Sequence, residues 1–127
     1  MKFPTDLKYT QHDEWVRLDG DTLVLGITDF AQDALGELVH VELPDVGKHV
    51  KAGDSICEVE SVKAVADVYS PVSGEVVEVN EELDGSEDAI NRDPYGKGWL
   101  VKIRVLDRNG LSTLLDVTAY QAKVADN

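Results

Sequence analysis

The sequence has a single cysteine, few basic residues and no long apolar run. Because Cys57 stands alone among the 127 residues, no disulfide can form within the chain, and a reducing compartment is expected. Twelve lysines and arginines against 25 aspartates and glutamates give a net charge of −13. This charge disfavours nucleic acid and anionic membranes as partners, because like charges would meet. No segment reaches the roughly 20 apolar residues of a membrane span, and residues 1–6 lack the apolar run of a signal peptide. We therefore expect a soluble cytoplasmic protein in which residues 1–127 form one domain.

Residue groupings typical of enzymes and metal sites are also missing. His12 stands beside Asp13 and Glu14, but adjacent residues in a strand cannot converge on one point, and the other histidines are distant in sequence. Cys57 lies in an apolar strand pattern, which favours a packed, unreactive thiol. The acidic segment 84–88 lacks the ligand spacing of a calcium loop, and there is no glycine-rich phosphate loop. The sequence therefore predicts neither catalytic residues nor a metal site.

Alternation of apolar and polar residues dominates the chain and predicts strands. The strands are expected at residues 22–27, 37–43, 55–60, 65–69, 75–79 and 98–105. Gly26 indicates a close approach to another group within the first of these. A short helix is expected at residues 30–35, with a cap at Thr28 and Asp29 and a stop at Gly36. The tail carries apolar residues at helical spacing, which predicts one kinked or two short helices packed through Leu111, Leu114, Leu115, Ala119 and Ala122.

The strand pattern contains an internal echo. Residues 36–42 match residues 74–80 at five of seven positions if leucine and valine are pooled. The two copies bracket a hairpin whose tip is residues 61–64. We therefore expect a pseudo-twofold sandwich of two small antiparallel sheets, with Lys63 near the tip.

Lys63 is the residue with the strongest candidate role. It occupies a four-residue tip between two predicted strands, and a hairpin tip projects one side chain furthest from the body of a protein. Val62 and Ala64 contribute nothing to solubility there, which indicates that another protein binds the tip. Such a lysine suits covalent attachment of a long arm, and a basic partner would be oriented by the nearby carboxylates Glu58, Glu60 and Asp67.

Short stretches spread in order over nearly the whole chain match one known family. They are Tyr9-Thr10, Glu14-Trp15-Val16, Gly26 to Gln32, Leu35-Gly36-Glu37, Val41 to Pro44 with Val46-Gly47, Glu60 to Ala64, Ser70 to Val76, Val79-Asn80, Asp93 to Gly96 and Gly98-Trp99-Leu100. With these stretches the sequence resembles the H proteins of the glycine cleavage system. That many ordered matches is a far more specific signal than a lysine followed by alanine.

The resemblance implies a mainly β barrel-sandwich hybrid like a lipoyl domain, with short helices and a C-terminal helical segment. It implies lipoic acid joined to Lys63 by an amide, attached by a lipoate ligase or lipoyl transferase that recognises the tip residues Glu60, Ser61, Val62 and Ala64. Such a protein catalyses nothing. Its arm accepts an aminomethyl group from the P-protein (glycine decarboxylase), delivers it to the T-protein (aminomethyltransferase) and is reoxidised by the L-protein (dihydrolipoyl dehydrogenase).

By position, Glu14 and Asp67 match the family residues that hold the cationic amine of the loaded arm in a surface cleft, and two carboxylates suit that amine. The sequence departs from the family at two places. The usual His-Glu-Trp is Asp13-Glu14-Trp15 here, with the histidine displaced to His12, which affects the details of the cleft. His40 stands where the family commonly has an apolar or aromatic residue, and no function is assigned to it.

Four alternatives remain open from the sequence. A biotin carrier would favour methionine on both sides of the lysine, and Met1 is the only methionine. A lipoyl domain of a 2-oxo acid dehydrogenase usually carries Asp-Lys-Ala at the tip and lacks the segment from residue 9 to 15. An enzyme would use Cys57 or His12. An unmodified adaptor, or a relay that passes lipoyl groups to other acceptors, would show the same motif.

Overall fold

The computed structural model describes residues 1–126. The strands are β1 (Lys8–Tyr9), β2 (Glu14–Asp19), β3 (Thr22–Ile27), β4 (Leu38–Glu42), β5 (His49–Val50), β6 (Ser55–Ser61), β7 (Val65–Tyr69), β8 (Ser73–Val79) and β9 (Val101–Asp107). The α-helices are α1 (Asp29–Leu35), α2 (Asp88–Arg92) and α3 (Val117–Ala125), and two further segments, Glu81–Leu83 and Arg108–Thr113, form 3-10 turns. None of the helices in this part of the chain is long and apolar enough to cross a membrane.

The strands form two antiparallel sheets that pack as a sandwich. One sheet has the order β1-β2-β3-β9-β8-β5 and the other the order β4-β6-β7. The two sequence copies, at β4 and β8, lie in different sheets, as the internal echo predicts. The mainly β fold with short helices and a C-terminal helix is therefore confirmed. The core between the sheets is built from aliphatic side chains, among them Leu23, Leu25, Val59, Val68, Val76, Val101 and Ile103.

Strand β9 begins later than the sequence predicts. Its apolar residues Val101, Ile103 and Val105 are buried, as expected for inward-facing positions, but Trp99 is only half-buried and precedes the strand. The backbone N–H of Trp99 bonds to the carbonyl of Gly96 at 3.2 Å. The residue therefore belongs to a turn after α2, and the alternation alone does not reveal this.

Helix α1 begins one residue before the predicted start and ends where predicted. The Thr28 hydroxyl accepts the N–H of Ala31 at 3.2 Å and caps the first turn. The side-chain amide of Gln32 donates to the Asp29 carboxylate at 2.7 Å. Gly36 ends the helix with φ of 83° and ψ of −154°, a region that is essentially open only to glycine. The chain can therefore turn directly from α1 into the second sheet.

The C-terminal segment forms two short helical pieces, which is one of the two arrangements that the sequence predicts. The residues of α3 that face the body of the protein differ from the predicted ones. Ala119 and Ala122 are exposed, whereas Val117, Tyr120 and Val124 pack on the body of the protein. The helix is capped at Asp116, whose carboxylate accepts the N–H of Ala119 at 2.8 Å. Positions 117, 120 and 124 share one face of a helix, and this face lies inward where the Tyr120 ring stacks on Tyr9.

Candidate functional site

The tip of the β6–β7 hairpin is ordered by one hydroxyl group. Ser61 Oγ accepts the backbone N–H of Lys63 at 3.2 Å and that of Ala64 at 3.0 Å. The N–H of Ser61 bonds to the carbonyl of Ala64 at 2.8 Å, and the N–H of Val62 bonds to the carbonyl of Glu37 at 3.1 Å. The tip is therefore tied both to itself and to the chain that leaves α1, so its backbone is rigid although it projects into solvent.

Lys63 is exposed on this rigid tip. Within residues 1–126, no carboxylate forms an ion pair with its amine. The Cε atom of Lys63 lies 3.5 Å from the place that a Cβ atom at Gly36 would take. The lysine side chain therefore lies against the C-terminal end of α1 with an amine that is free for acylation.

An exposed apolar patch surrounds the tip. Val62 is 68% exposed, Val65 is 61% exposed and Val39 is 45% exposed. Val39 lies at a β-bulge of β4, between the residues that pair with Ser61 and Glu60. The exposure of Val62 and Ala64 agrees with the sequence prediction. We call Val39, Val62 and Val65 the tip patch.

A cleft of about 210 Å³ runs between α1, β7 and the start of β2. Its lining is mostly apolar, with His12, Asp13, Glu14 and Asp67 among Ile27, Phe30, Ala31, Ala34, Leu35, Val59, Ala66 and Val68. We call it the arm cleft. The segment 66–68 is three to five residues from Lys63, and five residues of extended chain span at most about 18 Å. The cleft is therefore within reach of a long arm attached to the lysine.

Glu14 lies at the inner wall of the arm cleft. The residue is 1% exposed, so it is not the solvated surface charge that the sequence also allowed. Its carboxylate accepts the hydroxyl of Thr10 at 2.5 Å and the backbone N–H of Tyr69 at 2.9 Å. Burial raises the pKa of this carboxyl, and the two hydrogen bonds oppose that rise because they favour the ionised form. The site therefore holds a desolvated carboxyl group that a cation would stabilise.

Asp67 lines the same cleft but, unlike Glu14, it is not buried. It is exposed and pairs across the hairpin with Glu58. Its carboxylate accepts the hydroxyl of Ser55 at 2.9 Å. The structure thus brings both predicted cleft carboxylates to one lining, but only Glu14 is buried there, and Asp67 lies at the solvent side.

The two histidines without an assigned role lie apart from each other. The exposed His12 ring lies 4.8 Å from the Tyr69 ring, beside the arm cleft and beside a second cavity of about 300 Å³. His40 lies on the outer face of β4, where its Nε2 is 3.3 Å from the Glu42 carboxylate. No group of three or more potential ligands is arranged for a metal ion within the described part of the chain.

Cys57 is a packed thiol, as the strand pattern predicts. It is 4% exposed, and burial followed by repulsion from Glu58 raises its pKa to about 12. A thiolate is therefore not populated near neutral pH, and the group has little nucleophilic character.

A polar network beneath the arm cleft is absent from the sequence prediction. Asp13 adopts a positive φ of 67°. Its carboxylate accepts the phenol of Tyr120 and the amine of Lys123, each at 3.1 Å. The Tyr120 hydroxyl is also 2.7 Å from the hydroxyl of Thr28. No local pattern signals this network, because each of these three contacts joins residues more than 90 positions apart in sequence.

The structure thus places an exposed lysine at the tip of one hairpin in a sandwich of two antiparallel sheets. The family model "Glycine cleavage H-protein" matches residues 7–127. The chain is 49% identical over 126 residues to the glycine cleavage system H protein of Anaeromyxobacter sp. (strain K), covering 99% of this chain and 98% of that protein. It is 52% identical over 118 residues to that of Carboxydothermus hydrogenoformans, covering 93% and 91%. A crystal structure of a glycine cleavage system H protein from Mycobacterium marinum superposes with a TM-score of 0.88 at 40% identity, covering 96% of this chain and 98% of that one.

The chain therefore belongs to the glycine cleavage H-protein family. Proteins of this family are lipoyl carriers and not catalysts, so the chain is a carrier and not an enzyme.

Proposed function

We propose that this chain carries lipoic acid on Lys63 and shuttles an aminomethyl group from the P-protein to the T-protein of glycine cleavage, and reducing equivalents to the L-protein. One observation carries the proposal. An exposed lysine stands on a rigid tip, within reach of an apolar cleft that is lined by a buried carboxyl group. Family membership supports the same function.

The residues at the site fit such a group. The bound lipoyl group supplies a disulfide that accepts the one-carbon unit and two electrons. Acylation removes the charge of Lys63, so the arm can lie against the apolar side chains of α1, which include Ala31 and Leu35. A cationic amine at the end of the arm would meet the Glu14 carboxylate inside the arm cleft and Asp67 at its solvent side. Exclusion of water there would slow hydrolysis of the cargo.

The surface of the chain supports docking to partner enzymes. The net charge of −13 favours partners with basic entrances and predicts association that weakens as salt rises. The tip patch adds apolar contact beside the lysine, as a lipoate ligase or lipoyl transferase would need for recognising Glu60, Ser61, Val62 and Ala64. Because the carrier remains docked while its arm enters the partner's active site, each reaction becomes effectively intramolecular.

Mass spectrometry on the chain expressed with lipoate and a competent ligase tests the modification. One lipoyl group confined to the Lys63 peptide is expected, and none in the Lys63→Arg variant. Lys51→Arg is the matched control, because Lys51 is an exposed lysine in a turn and its replacement should leave lipoylation unchanged. A biotin adduct at Lys63, or an unmodified lysine despite the ligase, would contradict the proposal and favour a biotin carrier or an adaptor.

Reconstitution with the three partner enzymes tests the shuttle. The lipoylated chain is expected to support glycine-dependent NADH formation, and Lys63→Arg is expected to support none while unfolding at the same temperature. Lipoylation without turnover would leave the chain a lipoyl relay to other acceptors.

A further inference from the structure

We propose that the C-terminal helix α3 is a positioning element of the arm cleft, acting through Tyr120 and Lys123 on the Asp13 turn that holds Glu14. Asp13 is then a positioning residue, and α3 is part of the site although it contributes no cleft-lining side chain. The proposal rests on the proposed function for what occupies the cleft, but its geometry exists in the unmodified chain.

The turn that places Glu14 is tight and contains a disfavoured conformation. The N–H of Thr10 bonds to the carbonyl of Glu14 at 2.9 Å, and the N–H of Glu14 bonds back to the Thr10 hydroxyl at 3.2 Å. Between them, Asp13 has φ of 67°, the left-handed region that non-glycine residues rarely adopt. Such a conformation persists where surrounding contacts hold it. The same Thr10 hydroxyl binds the Glu14 carboxylate, so a change in this turn moves the carboxylate.

The contacts that hold the turn come from α3 and from the N-cap of α1. Tyr120 donates to the Asp13 carboxylate at 3.1 Å, so the Thr28 hydroxyl is the donor in its 2.7 Å contact with Tyr120. The N–H of Thr28 in turn bonds to the Asp13 carbonyl at 3.0 Å. Tyr120 is 0% exposed and stacks on Tyr9 at 4.6 Å between ring centroids. The phenol is therefore held in place by its surroundings, so its hydrogen bond restrains the position of the Asp13 carboxylate.

Lys123 adds a charge to this clamp. Its amine is 3.1 Å from the Asp13 carboxylate, and Asp13 is the immediate neighbour of Glu14. The charge of Asp13 opposes ionisation of Glu14, and Lys123 offsets that charge. The other ionisable groups near Glu14 are His12 from the same turn, Cys57 from β6, and Asp67 and Tyr69 from β7. Removing Lys123 therefore leaves Glu14 beside an unbalanced negative charge, which favours its protonated form.

The test follows the Glu14 carboxyl by carbon-detected NMR titration of the full, unmodified chain. Lys123→Met is expected to raise the pKa of Glu14 by at least about 0.3 unit, because a positive charge close to Asp13 is lost. Lys123→Arg is expected to restore the original value. Lys102→Met is the matched control. Lys102 has the same 31% side-chain exposure, pairs with a carboxylate and lies over an aromatic ring, but it sits on β9.

Tyr120→Phe tests the clamp without changing charge. It retains the stacked ring and removes one hydroxyl, so hydrolysis of the aminomethyl-loaded chain is expected to accelerate about threefold or more, in keeping with the loss of one hydrogen bond. If α3 had a purely structural role, Lys123→Met would change the unfolding temperature but would leave the titration of Glu14 the same as in Lys102→Met. Unchanged Glu14 titration in Lys123→Met would overturn the proposal. Because that titration needs no lipoyl group, its outcome is independent of whether Lys63 is modified.

Discussion

Replacing Glu14 by glutamine separates its charge from its shape. On the proposed function, the carboxylate holds the cationic end of the loaded arm in the arm cleft and keeps water from the cargo. Glutamine has nearly the same volume and carries no charge, and its single carbonyl oxygen can replace only one of the two carboxylate oxygens that accept the Thr10 hydroxyl and the Tyr69 N–H. We therefore expect the loaded Glu14→Gln chain to lose its aminomethyl group faster than the unchanged chain.

The size of the effect follows from the surroundings of Glu14. The residue is 1% exposed, so its contact with an amine is desolvated, and a hydrogen bond to a charged group there is worth about 1.5–3 kcal/mol. Every 1.4 kcal/mol corresponds to a factor of about ten. If hydrolysis occurs only while the arm is outside the cleft, the decay rate rises by about 10- to 150-fold, up to the rate of a free arm.

The assay is the decay of the aminomethyl-loaded chain, followed by intact mass spectrometry in the absence of partners. Glu58→Gln is the matched control, because Glu58 lies opposite Asp67 in the hairpin register but does not line the arm cleft. Asp67→Asn should give a smaller acceleration than Glu14→Gln, since Asp67 is exposed and screened by water. Equal decay of Glu14→Gln and Glu58→Gln, with both chains folded, would refute the role of Glu14.

The same assay has a predicted pH dependence. Only the ionised carboxylate attracts the amine, and burial raises the pKa of Glu14. The protection it gives is therefore present above that raised pKa and is lost as the pH falls through it. The ratio of the Glu14→Gln decay rate to that of the unchanged chain should fall towards one in acid. A ratio that is independent of pH would contradict a charge-based role.

Three further predictions concern the frame of the site. Gly26→Ala should destabilise the fold by about 1–3 kcal/mol in denaturant titration, because its Cβ would lie 2.5 Å from the Trp15 indole; unchanged stability would show that the indole can move. Ser61→Ala should slow lipoylation at nearly unchanged unfolding temperature, because the tip loses the acceptor of two backbone N–H groups; an unchanged modification rate would count against a rigid tip. Cys57 should react with iodoacetamide at pH 8 only after unfolding, since its thiol is buried and its pKa is raised to about 12, and labelling of the native chain would contradict this.

The sequence is sufficient to predict the parts of the fold that depend on neighbours along the chain. Alternation predicts most of the strands, and the Thr28 cap and Gly36 stop fix α1 because each acts within one helical turn. The hairpin tip is found in the same way. Lys63 is singled out by its place between two strands, and the family resemblance points to Glu14.

The sequence does not reveal features set by contacts between distant segments. The inward face of α3 depends on the packing of Tyr120 against the distant Tyr9 ring, which the spacing of the alanines in the tail does not reveal. Burial of Glu14 depends on β7 supplying a backbone donor. The outward position of Asp67 follows from strand parity, but its partner Ser55 comes from the neighbouring strand.

On the proposed function, the carrier must both protect and release its cargo, which needs a cleft of limited strength, and Glu14 would set that strength. Suppose that the cleft holds the arm for about 99% of the time and a partner's site holds it for about 1%. To reverse this ratio, the partner would need to supply about 5.5 kcal/mol. Burial works against the ionised form of Glu14 and so removes part of the Coulomb attraction to an amine. At a net contribution of about 1.5 kcal/mol the arm is outside the cleft for roughly 8% of the time, which is enough for capture by a docked enzyme, whereas at about 3 kcal/mol it is outside for less than about 1% and a partner must draw it out. On the proposed function, the desolvation of Glu14 therefore limits how strongly this one carboxylate holds the cargo.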